Sequence, residues 1–130
     1  YVELAYAKQN KLAYAKMKNA AGNVVEASAK TTQNAMADSG DSMPDTLAVS
    51  IVNPTGPESW PIAGYTYLII YMDQQDCTKG KAVLDFLRWA LSDAGAKYAI
   101  ELEYVPLPAN VKSAVLATVD KVTCKGAPLK

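Results

Sequence analysis

Histidine is absent from all 130 residues, and Arg88 is the single arginine. Without histidine the commonest general base and the commonest metal ligand are gone, together with every Ser/His or Cys/His arrangement. Cysteine is scarce too: Cys77 and Cys124 are the only two, and they lack the CxxC spacing of a redox or zinc site. No apolar run is long enough to span a bilayer as a helix, and no signal-peptide pattern is present. Neither sign of charge is in excess, with 13 basic and 13 acidic side chains. That balance argues against nucleic acid or an anionic membrane as a partner. The chain starts Tyr1-Val2-Glu3 without an initiator Met, which reads as a mature product or a fragment cut from something longer.

What is present fits a soluble globular class, with 50% hydrophobic and 20% charged residues. The length suggests one domain or two small lobes. The most pronounced stretch is Trp60–Met72, WPIAGYTYLIIYM. Pro61 opens it, Gly64 allows a close backbone approach, and Tyr65–Tyr71 is unbroken aromatic, β-branched and aliphatic sequence. A half-exposed strand would alternate polar and apolar residues, so this run predicts a strand covered on both faces.

Along the chain, Val2, Ala5 and Tyr6 share one side at helical spacing, predicting a short helix over 1–8 that stops near Asn10. Leu12–Lys18 alternates, and Ala21-Gly22-Asn23 supplies turn chemistry before Val24-Val25, so a hairpin or a bent extended segment is expected. Ser28–Asp38 predicts a helix with an alanine-rich face, ended by Ser39-Gly40-Asp41-Ser42. Leu47–Val52 predicts a strand, and Asn53-Pro54-Thr55-Gly56-Pro57 is the densest breaker cluster.

Asp73–Asp76 reads as a turn, with Thr78 able to cap a helix running to about Ala94. There Val83, Leu84, Leu87, Ala90 and Leu91 make an apolar stripe that Phe86 and Trp89 widen. Gly95 ends that helix. A second short helix fits Ala96–Leu102. Pro106 and Pro108 forbid regular helix in their own stretch, and Asn110–Val122 predicts a third helix. Lys125–Lys130 reads as a loose tail. Strands and helices are mixed, which gives an α/β or α+β class.

Side chains that carry chemistry are sparse. Glu101 and Glu103 alternate with apolar neighbours as a solvated edge does. Asp73 and Asp76 lack the spacing and the downstream bidentate Glu of an EF-hand loop. Lys79-Gly80-Lys81 lacks the earlier glycine of a phosphate loop. Trp60, Tyr65, Tyr67 and Tyr71 would make a stacking platform only if they left the core. Ser92-Asp93 and the Ser39–Ser42 stretch have no base to pair with. No catalytic or metal-binding residue is assigned and no cofactor is expected. The two cysteines fit either buried free thiols or one disulfide closing a long loop in an oxidising compartment; the disulfide is the preferred expectation.

Several stretches, taken in order, resemble one family, the phosphate-binding proteins of bacterial high-affinity phosphate ABC transporters. They are Tyr1-Val2-Glu3-Leu4-Ala5-Tyr6-Ala7-Lys8-Gln9-Asn10, then Leu12-Ala13-Tyr14, then Trp60-Pro61-Ile62 with the run through Tyr71. Gly80-Lys81-Ala82-Val83-Leu84-Asp85-Phe86-Leu87-Arg88-Trp89-Ala90 follows, and last comes Tyr104-Val105-Pro106-Leu107-Pro108-Ala109-Asn110-Val111. Each piece is weak alone, but their order and spacing agree along nearly the whole chain.

The resemblance implies an α/β, periplasmic-binding-protein-like fold of type II, of which this chain is the C-terminal portion only. Residues 1–53 would close the second lobe, 54–60 would form the crossover or hinge, and 61–130 would return to the first lobe. It implies a non-catalytic segment of an extracytoplasmic or periplasmic protein that captures inorganic phosphate and delivers it to ABC permease subunits. The alternative is a stand-alone or self-associating interaction module with the same half-fold and no anion binding. The family holds phosphate with helix N-terminal NH groups, Ser/Thr hydroxyls, an Arg and an Asp. Those motifs lie upstream of the residues matching Tyr1, so no phosphate ligand is carried onto this chain. Cys77 and Cys124 are outside the family pattern, and their disulfide rests on the compartment argument.

Overall fold

The computed structural model describes residues 2–40 and 43–129, with the side chains of 39 and 40 left aside. Helix α1 spans Leu4–Gln9 and ends at Asn10, whose side chain donates back to the Tyr6 carbonyl at 2.9 Å. Strands β1 (Met17–Lys18) and β2 (Val24–Val25) pair antiparallel, Met17 opposite Val25. Gly22, at φ +86°, makes the turn between them, a backbone state that glycine adopts without a Cβ penalty. Only two residues of the alternating 12–18 stretch enter this hairpin.

Helix α2 (Ala29–Gly40) starts at a reciprocal cap. The Thr31 N–H donates to Ser28 Oγ at 3.2 Å, and the Ser28 N–H donates to Thr31 Oγ1 at 3.1 Å. This is a capping-box arrangement with a hydroxyl at both ends. The expected stop at Ser39–Ser42 agrees with the helix reaching Gly40, while Asp41 and Ser42 lie outside the described residues.

Two expected strands do not form. Leu47–Val52 is irregular, with Leu47 at φ +58°, and contributes one bridge, Val52 to Ile62. The long Trp60–Met72 run is irregular and has no ladder of its own, and only Asp73–Gln74 just beyond it becomes strand β3. A strand's hydrogen bonds are made to its neighbours, so apolar β-prone sequence without neighbours stays unpaired.

Helix α3 covers Cys77–Ala90. Asp76, not Thr78, caps it, accepting the N–H groups of Thr78 and Lys79, each at 3.1 Å. It ends four residues earlier than expected, because Ser92 caps a new helix, α4 (Asp93–Glu101). Gly95 sits inside α4 and does not end α3. Any Cβ there would collide with the carbonyls of Trp89 and Ala90, so glycine permits the tight α3–α4 corner. Helix α5 (Ala109–Val119) follows Pro108.

The expected loose tail is structured. Strands β4 (Thr123–Cys124) and β5 (Ala127–Pro128) form a hairpin, with Lys125 at φ +50° and Gly126 at φ +80° in its turn. Two positive φ values at the centre of a two-residue loop are the hairpin-favouring turn geometry. The sheet order is β3-β4-β5, with β3 parallel to β4, so β3 is an outer strand.

Two apolar clusters hold these elements. Ala35, Met36, Ile51 and Ala63 form the first, joined by Val49, Trp60, Tyr65, Val105 and Leu107. Leu84, Val119 and Val122 form the second, joined by Ile70, Leu87, Val115 and Leu129. The first draws residues from both sides of the Asn53–Pro57 breaker cluster. Phe86 and Trp89, which widen the α3 stripe, stay about half exposed.

Candidate functional site

The most tightly constrained polar group surrounds the Pro/Gly loop that precedes Trp60. Asn19, buried just after β1, directs its side-chain amide at the carbonyls of Gly56, Pro57 and Ser59 at 3.0–3.3 Å. Its own Oδ1 accepts the Asn23 N–H at 3.0 Å. From α2, Asp38 Oδ2 accepts the Ser59 hydroxyl at 2.6 Å and the Gly56 N–H at 3.1 Å. Ser59 is itself fully buried. A Cβ on Gly56 would fall onto the Asp38 carboxylate and the Ser59 hydroxyl, so only glycine fits. Polar groups taken out of water are costly unless bonded, and here each has a partner. The knot fixes 56–59 against the β1–β2 hairpin and α2. Its polar atoms are spent on one another, so it positions chain and carries no reaction. Nothing in the local sequence marks it, because its members come from three separate stretches.

Away from this loop in sequence, Cys77 opens α3 and Cys124 lies in β4; the two form a disulfide with Cα atoms 5.5 Å apart. The expected pairing is therefore found. Asp73 lies beside it and accepts the Thr123 hydroxyl at 2.5 Å and the Gly126 N–H at 2.9 Å. Those donors, the Thr123 hydroxyl first, hold the Asp73 carboxyl below its ordinary value. The Asp76 carboxyl is lowered as well, chiefly by the Lys79 N–H it caps. Stabilised anions that already have donors are braces, so this acidic pair anchors the β3–β5 sheet and α3. Asp73 is part of β3 and not of a turn.

The other sequence candidates are dispersed. Lys79, Gly80 and Lys81 lie within α3, where Gly80 is buried and a Cβ would strike Gln74 and Leu129; the glycine serves packing, not a phosphate. Glu103, at φ +62°, pairs with Lys8 at 2.6 Å, and that bond raises the Lys8 pKa. Glu101 is exposed at the end of α4. Ser92 caps α4 and Asp93 faces Lys112 at 3.7 Å. Arg88 is engaged by Asp120 at 3.0 Å and Asp85 at 3.9 Å. Trp60 and Tyr65 pack on the first core cluster, the Tyr67 hydroxyl donates to the Val49 carbonyl at 3.1 Å, and Tyr71 points outward. These four rings make no common platform. Among the described residues there is no group of His, Cys, Asp and Glu arranged to hold a metal ion, and no helix is long and apolar enough to cross a membrane.

The fold and these groups define a mixed α/β segment, braced at two places, whose polar side chains serve structure and whose most apolar stretch lies open. Comparison with known proteins gives the resemblance a particular form. The chain is 40% identical over 111 residues to the phosphate-binding protein PstS of Xylella fastidiosa, covering 85% of this chain and 30% of that relative. It is 39% identical over 117 residues to PstS of Haemophilus influenzae, covering 88% of this chain and 34% of the relative. It is also 30% identical over 130 residues to a protein of Acanthamoeba polyphaga mimivirus named as a serine/threonine-protein kinase/receptor, 97% of this chain and 8% of that relative. No family model matches the chain. The resemblance to phosphate-binding proteins is thus shown over most of this chain, consistent with their C-terminal portion, while the chain spans about a third of their length.

Proposed function

We propose that this chain is a non-catalytic segment of an extracytoplasmic protein that captures inorganic phosphate and passes it to the permease subunits of an ABC transporter. The carrying observation is the 40% identity across 85% of the chain to a phosphate-binding protein. The fold this implies is that of periplasmic binding proteins, type II, with residues 1–53 in the second lobe, 54–60 at the crossing and 61–130 in the first lobe. The Asn19–Asp38–Gly56–Ser59 knot supports a fixed crossing, because it ties the loop to elements on the second-lobe side. The disulfide supports an oxidising compartment. Phosphate ligands would come from polypeptide outside these residues, since the one arginine is already engaged by Asp120 and Asp85.

The test is a titration of the complete gene product encoding this stretch with phosphate, followed by intrinsic fluorescence, with sulfate as competitor. Saturable binding in the low micromolar range or tighter, untouched by sulfate, is expected; no saturable binding by an intact, folded product overturns the reading.

A further inference from the structure

The link between α4 and α5 opens on a closed helix end. The Tyr104 N–H donates to the Ala99 carbonyl at 2.8 Å, and the Glu103 N–H donates to the Ile100 carbonyl at 3.0 Å. That pair of bonds drives one residue into the left-handed region, and glycine ordinarily holds the position. Here it is Glu103, at φ +62°. A side chain is disfavoured in that conformation, and an outlier kept in a fold points to a use. What the side chain reaches is Lys8 in α1: Glu103 Oε2 accepts the Lys8 ammonium at 2.6 Å, across 95 positions of sequence.

The rest of the link turns the same way. Gln33, in α2, donates its side-chain amide to the Pro106 carbonyl at 3.2 Å. Val105 and Leu107 pack against the cluster of Ala35, Met36, Ile51 and Ala63, as Trp60 and Tyr65 do. Pro106 and Pro108 each fix φ, so the link bends little between its anchors. In the lobe assignment given above, α1 and α2 belong to the second lobe and the link to the first. The link therefore joins the two lobes a second time, beside the crossing and without a covalent bond.

We propose that residues 103–107 form a strap that holds the relative orientation of the two lobes, and so strengthens phosphate capture from outside the ligand site. The inference rests on the phosphate-binding reading above. Lobes that close on a ligand lose orientational freedom, and a hinge already held has less to lose, so it binds more tightly. Val105 and Leu107 share their cluster with Trp60 at the crossing and with Ala63 and Tyr65 just after it. The strap thus grips the pivot itself. Glu103 acts through Lys8 and is a positioning residue.

The experiment uses the complete gene product that encodes this stretch. Phosphate affinity, Tm and the phosphate-free radius of gyration by small-angle X-ray scattering are measured for each variant. Glu103→Gly removes the carboxylate and relieves the backbone, so Tm should hold or rise while phosphate binding weakens about threefold. Lys8→Glu should weaken binding to a similar degree, and Lys8→Glu/Glu103→Lys should recover most of the loss. Leu107→Ala should weaken binding about tenfold and enlarge the phosphate-free radius of gyration. Leu84→Ala, buried in the second cluster, should lower Tm while leaving both affinity and radius at parental values. Parental affinity in Glu103→Gly and Leu107→Ala overturns the strap, as does an equal loss of affinity in Leu84→Ala or a charge swap that recovers nothing. A parent that binds no phosphate removes the transport reading instead. Scattering then judges the strap alone: a larger radius in Leu107→Ala keeps it, and an unchanged one ends it.

Discussion

Single residues brace this molecule at two places, and they do so through different physics. Asp73 and Asp76 are anions held by donors at the surface, and both carboxyls titrate below the ordinary value of 3.8. A lowered folded pKa contributes stability that is fully present above the unfolded value and is lost as pH falls through the folded one. Thermal melts from pH 7 to pH 2 should therefore show the β3–β5 and α3 end weakening below about pH 4. Asp73→Asn should lower Tm at pH 7 and converge on the parent at the acid end; an unchanged difference across that range would contradict the brace. Lys8 behaves oppositely, since its raised pKa gives a contribution present below 10.5 and lost as pH rises through the folded value. Its pair with Glu103 is at the surface and adds little. Asn19 is the stronger residue because it is buried. Asn19→Ala removes the amide shared by three loop carbonyls, of which Gly56 keeps the Ser59 N–H and Pro57 the Asn23 side-chain amide, and should cost roughly 1–3 kcal/mol. Urea unfolding of the two proteins measures it, and a change within error would remove the knot's role.

At the scale of elements, the disulfide joins the first residue of α3 to β4 across a sequence separation of 47 residues. Loop closure in the unfolded chain accounts for about 4 kcal/mol at that length. The Cys77→Ser/Cys124→Ser double variant should lose stability of that order by chemical denaturation, and non-reducing peptide mapping of the parent should find the two cysteine peptides linked. Two free, alkylatable thiols would contradict both statements. Helices α3, α4 and α5 depend less on distant chain, since each closes its own hydrogen bonds and two begin at a side-chain cap, Asp76 and Ser92. The strands are short throughout, two residues each, because most of the β-prone sequence has no partner.

For the molecule as a whole, the absence of a convergent anion site among the described residues has a direct consequence. Isothermal titration of this 130-residue chain with phosphate should show no tight binding, because its one arginine is already engaged by Asp120 and the cleft is at most half supplied. A micromolar or tighter dissociation constant for the chain alone would show that the phosphate ligands lie within it. The mimivirus relative widens the setting, since a similar stretch there makes up 8% of a protein named for kinase and receptor functions. Delivery to a permease therefore rests on the bacterial relatives.

The sequence by itself determined whatever closes locally or depends on residue order. Helical periodicity placed α1, α2, α3 and α5 within a few residues, the Asn19–Asn23 turn was legible from Gly22 and Asn23, and the ordered motifs carried the family resemblance. The missing histidine and the single arginine likewise limited the chemistry before any coordinates. Tertiary structure decided what depends on neighbours. It left Trp60–Met72 and Leu47–Val52 without a ladder beyond the single Val52–Ile62 bridge, turned the tail after Lys125 into a hairpin, split one expected helix at the Ser92 cap, and joined Asn19, Asp38, Gly56 and Ser59 in one knot. The reason is where the hydrogen bonds go. A helix satisfies its backbone within its own turns, so its residues suffice to specify it, whereas a strand or a buried polar knot is satisfied only by groups brought from elsewhere in the chain.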